Sequence, residues 1–160
     1  AENNVFIYDS ARESFSYAED AVEIFESIFN EENRINMSMA HCYESHADAC
    51  FRLGNIEGDP SLYDKGMKAY KKCLKITAKV SEDKEEVLRI LIRAGKACKK
   101  AEMWTETVEC FEKARHVVLR LESIEQKRRG ELFILLEIEI GEAMLKKGDY
   151  SEAFDRFENQ

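Results

Sequence analysis

Proline is nearly missing from this chain of 160 residues, which has one, and glycine is scarce at seven. All-β domains need such residues at every turn, so long uninterrupted helices are the expected elements. Long hydrophobic runs are missing too. The most apolar stretch, Leu132 to Leu136, is flanked by glutamates and falls far short of the roughly 20 residues that span a bilayer. No secretory leader is legible. The five cysteines are odd in number and scattered, which speaks against a disulfide framework and for reduced thiols in a cytoplasmic or nuclear protein. Asn36-Met37-Ser38 fits a glycosylation sequon, but the cysteine pattern argues against secretion. The chain starts at Ala1 without methionine and stops at Gln160, inside an expected packing helix. We read it as a fragment of a longer protein.

What is present is a recurring ruler. From Gly141 it passes Met144, Gly148, Ala153 and Phe157. Laid at Gly95 it meets Cys98, Thr107, Phe111 and Ala114. Laid at Ala47 it meets Cys50 and Gly54, then, after a seven-residue insertion, Gly66, Tyr70 and Cys73. Copies in one phase predict stacked helical hairpins, because a single hairpin cannot bury its own apolar face.

Periodicity places helices at about 33–53, 61–80, 84–101, 104–122 and 124–147, with a last one from about 150. An earlier stripe through Ala18, Ala21, Val22, Phe25, Ile28 and Phe29 suggests a degenerate first hairpin over 1–32. Gly54, Asn55, Gly58, Asp59 and Pro60 predict an inserted loop over 54–60. Asp59 and Pro60 suit a helix start, and Asp83 with Glu86 and Ser123 with Gln126 have capping-box spacing. The expected organisation is one repeat domain over 1–160, with repeats at 33–80, 83–122 and 124–160 after the weak hairpin.

These residues resemble the tetratricopeptide-repeat family over roughly 33–160. Ile140-Gly141 with Met144, Gly148, Tyr150, Ala153 and Phe157 carries the best match. Ala94-Gly95 with Cys98, Trp104, Phe111 and Ala114 is good, although Glu102 replaces the turn glycine and Thr107 the small alanine. The spacing from Gly95 to Gly141 is 46 residues, longer than the common period of 34. That longer period is similar to those of kinesin light chains and vesicle-fusion attachment proteins. The resemblance implies an all-α superhelical stack of antiparallel hairpins, an α-solenoid, whose concave groove binds a peptide or helix of a partner protein. Some relatives hold chaperone tails with a carboxylate clamp. Here Glu44 and Asp48 stand at the matching positions, and acids there would repel a terminal carboxylate.

Charge is unevenly spread. Residues 1–64 carry 14 acids and 3 bases, residues 65–100 carry 4 and 12, and residues 101–160 carry 14 and 9. Within the basic middle, Arg89, Arg93, Lys96 and Lys100 recur at three- and four-residue steps and so share one helical face. They are the candidate partner-binding residues, suited to an acidic or phosphorylated segment. A solvated face neutralised by its acidic neighbours is the bland alternative. Nucleic acid is disfavoured, since no aromatics interleave these bases.

Other chemistry is thinly supported. Beside His41, the residues Cys42, His46 and Cys50 line one helical face, yet three ligands in a row cannot enclose a tetrahedral zinc ion. Cys50 also holds the packing position of Cys98 and Met144, so core packing is expected there. No catalytic signature accompanies these residues, and Gly95-Lys96-Ala97 lacks the rest of a phosphate loop. Neither enzymatic activity nor a cofactor is expected. The alternative to groove binding is assembly into a larger multiprotein or vesicle-trafficking complex through a convex face or an end.

Overall fold

The computed structural model describes residues 2–32 and 36–148, and these are all-helical. Six α-helices follow one another: α1 Glu2–Glu32, α2 Met37–Glu57, α3 Pro60–Val80, α4 Lys84–Lys100, α5 Trp104–Leu119 and α6 Gln126–Lys147. They fall into two compact units, Ala1–Glu82 and Asp83–Gln160. Within each unit, helices pack on their neighbours in the chain: α1 on α2 and α2 on α3, then α4 on α5 and α5 on α6. The helix expected from about 150, with Tyr150, Ala153 and Phe157, lies outside the described residues.

In the first unit the α2–α3 pair is built on close approach. Gly66 sits where an added methyl would meet the Phe51 ring at 2.8 Å, and Gly54 where one would meet Tyr63 at 2.7 Å. Phe51 fills the space between Tyr63 and Tyr70, with ring centroids 5.7 and 5.9 Å away. Ala47, Cys50, Tyr70 and Cys73, all on the predicted ruler, are fully buried. Burying an aromatic pair of this kind contributes about 1 kcal/mol beyond its area. Helix α1 reaches this core through Ala11, which packs with Leu53 and Leu62 and is flanked by Tyr8 and Phe15.

In the second unit the close approach is reversed relative to Gly66 and Phe51, with the glycine, Gly95, on the earlier helix and the ring on the later one. A methyl there would meet Phe111 at 2.7 Å. Ala94, Cys98, Ala114 and Val118 are buried on α4 and α5, with Ile140 and Ala143 buried on α6. Thr107, where the resemblance expects a small alanine, is fully buried. Its hydroxyl donates to the Met103 carbonyl at 2.8 Å, so the polar group is satisfied within its own helix.

Three sequence expectations require correction. Residues 2–32 form one continuous helix, not a hairpin. No glycine or proline interrupts this segment, and nothing else in it stops a helix. The expected inserted loop over 54–60 is mostly helix: α2 runs through to Glu57, and Gly58–Asp59 alone link it to α3. Gly54 serves there as a contact point beneath Tyr63, while Gly58 makes the turn with a φ of 67°. Ser123 does not cap α6. Its hydroxyl donates to Glu85 at 2.7 Å, and the helix starts after Glu125 without a side-chain cap.

Other starts agree with expectation. The Asp59 carboxylate accepts from the Ser61 N–H at 2.9 Å with Pro60 beginning the helix. Asp83 accepts from the Glu85 N–H at 2.8 Å. Asn36, the sequon asparagine, is the N-cap of α2 and accepts from the Met39 N–H at 3.0 Å. Between α4 and α5, Glu102 adopts a left-handed backbone with φ 58°, at the turn where the resemblance expects a glycine.

Candidate functional site

Helix α4 is strongly two-faced. Leu88, Leu91, Ala94, Gly95 and Cys98 are buried. Arg89, Arg93, Lys96 and Lys100 are all exposed. The helix is well founded at both ends: Asp83 caps it, Glu85 and Glu86 occupy the first turn, and Lys99 and Lys100 the last. Acids at the start and bases at the end both oppose the helix dipole favourably.

The four bases are not equivalent. Arg89 forms a fork with Glu86 one turn back, at 2.9 Å from Nε and 2.7 Å from Nη2. Lys96 and Lys100 make no ion pair with any described residue. No described carboxylate offsets the charge of these two.

Several bases of the middle segment are already committed inside the fold. Lys99 turns away from the exposed row and bridges Glu139 at 2.6 Å and Glu142 at 2.7 Å on α6. Burial opposes its charge, but the two carboxylate hydrogen bonds outweigh that and raise its pKa. In the first unit Lys65 pairs with Glu19, and Lys72 pairs with Glu26 at 2.8 Å. Glu19 and Glu26 are seven residues apart, as are Lys65 and Lys72. The two bridges thus repeat every two turns between α1 and α3, which run in the same direction. Each lysine also lies over a ring, Lys65 over Phe15 at 5.1 Å and Lys72 over Tyr43 at 4.9 Å. The Tyr43 hydroxyl donates to Glu26 as well. Lys72 first, and Tyr43 after it, hold the Glu26 carboxyl below the usual carboxylate range. The matched seven-residue steps were visible in the sequence, but nothing there paired segments 46 residues apart.

The His41–Cys50 segment is built as helix packing. Cys50 is fully buried and His46 nearly so, while His41 is exposed and Cys42 half-buried. Burial pushes the Cys50 thiol up to about 12 and raises that of Cys42 as well. Burial thus favours the neutral thiol at both positions. His46 packs beside Phe15 at 6.1 Å and lies 3.9 Å from Glu19. Asp48, at one clamp-equivalent position, accepts the Tyr70 hydroxyl, and Glu44, at the other, is buried. All five cysteines are free thiols. Trp104 is half-buried in the first turn of α5.

No described helix is long and apolar enough to cross a membrane. No protein-family model matches the chain, and comparison with curated proteins finds no match.

Proposed function

We propose that this chain is a protein-interaction scaffold of the tetratricopeptide-repeat type, whose α4 face receives an acidic or phosphorylated segment of a partner protein. The observation that carries this reading is the exposed row Arg89, Arg93, Lys96 and Lys100 on a helix buried along its opposite side. A rigid row of cations accelerates encounter with an acidic segment and needs little ordering of the scaffold on binding. The repeat reading is supported by ruler positions that are buried in both units: Ala47, Cys50, Tyr70 and Cys73 in one, Gly95, Cys98, Phe111 and Ala114 in the other. In a superhelical stack the first helices of such hairpins line the concave groove, which would place the α4 row within it.

The test uses two labelled peptides, one rich in glutamate and one carrying phosphoserines, titrated into the purified protein at low and at physiological salt. Lys96→Glu with Lys100→Glu should weaken capture at least about tenfold, about 1.4 kcal/mol, with helicity unchanged. Salt should weaken binding to the native protein in the same direction. Unaltered capture by the double variant rejects the site.

A further inference from the structure

Helix α1 carries a second surface, of opposite charge, on the side turned away from α2. Phe6, Tyr17, Ile24 and Ile28 are exposed at 76, 66, 57 and 47 %. Their separations of 11, 7 and 4 residues are close to three, two and one helical turns, so they form one stripe. It runs about 33 Å along the helix. Scattered exposed apolar residues are ordinary, but an aligned row of four large ones marks a contact surface.

A parallel row of acids borders the stripe. Asp9, Glu13 and Asp20 follow at steps of four and seven and are all exposed. No described cation pairs with any of them. The inward acids of the same helix are treated differently, since Glu19 and Glu26 each hold a lysine of α3. α1 has nine acidic residues and a single arginine, and that arginine is bound to Glu57 at 3.0 Å.

We propose that this face docks a basic amphipathic helix of a partner protein, its apolar side on Phe6, Tyr17, Ile24 and Ile28 and its lysines or arginines on Asp9, Glu13 and Asp20. Charge selects this occupant. A second copy of α1 would set acid against acid, and an anionic lipid surface would be repelled by the same row. Helix-in-groove recognition uses apolar anchors at i, i+3, i+4 and i+7 with charges that fix the register. The surface lies on a different helix from the α4 row, so the two readings stand or fall independently.

The probe is a fluorescent peptide of about 18 residues, five helical turns, with leucines along one face and lysines beside them. It should bind with a Kd on the order of 10 µM. Tyr17→Ala with Ile24→Ala, which keeps exposed helix positions helix-compatible, should weaken it about tenfold or more while circular dichroism stays unchanged. Lys96→Glu with Lys100→Glu should leave it unchanged. Asp9→Lys with Asp20→Lys should transfer preference to a peptide with glutamates in place of lysines. Equal binding of a scrambled peptide of the same composition overturns the proposal, because it leaves only unspecific charge attraction. So does a native dimer in sedimentation velocity that Tyr17→Ala with Ile24→Ala dissolves, since a second copy then covers the stripe. Flotation with phosphatidylglycerol vesicles that the same variant abolishes overturns it in favour of a membrane.

Discussion

The Phe111 ring lies so close over Gly95 that a methyl group on Gly95 would stand 2.7 Å from its Cε1. Two helices of the second unit meet there with that ring laid against the glycine backbone. The expected result of Gly95→Ala follows from two opposed effects. Alanine gains about 1 kcal/mol of helix propensity over glycine, but displacing a packed ring costs about 1–3 kcal/mol. Denaturant titration should show net destabilisation. Gly130→Ala, on the same unit with nothing within 4 Å of the added carbon, should instead stabilise by up to about 1 kcal/mol.

Glu102 holds a left-handed backbone at φ 58°, which an L residue adopts at a cost of about 1–2 kcal/mol. Glu102→Gly removes that cost, while the greater freedom of glycine in the unfolded chain takes back part of it. A net gain of about 0.5–1 kcal/mol is expected, seen as a higher melting temperature. Glu102→Val, β-branched and intolerant of positive φ, should lower it.

Acid should weaken the first unit in two stages. Burial depresses the pKa of His46 below its ordinary 6.5. The folded state therefore takes up its proton less readily than the unfolded one, and stability falls as pH drops below 6.5. The groups around the ring come from α1, Glu19 and Glu26, and from α3, Lys65 and Lys72. Glu26 is likewise depressed by Lys72 and Tyr43. Its contribution is present above its ordinary 4.5 and is lost as pH falls through the folded value. Urea midpoints measured from pH 7.5 downward should decline in that order. His46→Gln should flatten the first stage and leave the second.

Lys99 holds two carboxylates, Glu139 and Glu142, that face it from α6. Lys99→Met leaves both acids without their cation and should destabilise by about 1 kcal/mol. The loss should shrink in about 1 M salt, where the screening length falls to about 3 Å. Equal losses at low and high salt would instead assign the effect to packing of the lysine stem.

Much of this architecture was legible because it rests on local spacing. The ruler through Ala47, Cys50, Gly95, Cys98 and Phe111 located residues that the fold buries. Asp59-Pro60 and Asp83 announced helix starts through chemistry confined to one turn. Gly54 misled because a glycine required for close approach has the same letter as one required for a turn; only Tyr63 above it distinguishes the two. Ser123 misled because the helix begins only after Glu125, two residues further on, and its hydroxyl instead donates to Glu85, 38 residues away. The exposed row on α4 followed from periodicity. The commitment of Lys65, Lys72 and Lys99 to distant carboxylates did not, since a single sequence carries no record of which remote segments meet.

Only Ala11 among the described side chains of α1 is fully buried. Its remaining ties to α2 and α3 include the charged bridges Arg12–Glu57, Glu19–Lys65 and Glu26–Lys72. Screening weakens exposed contacts of that type and leaves the packed rings of Phe51, Tyr63 and Tyr70 untouched. Concentrated electrolyte is therefore a selective reagent for this molecule: it loosens the leading helix from a hairpin that stays shut.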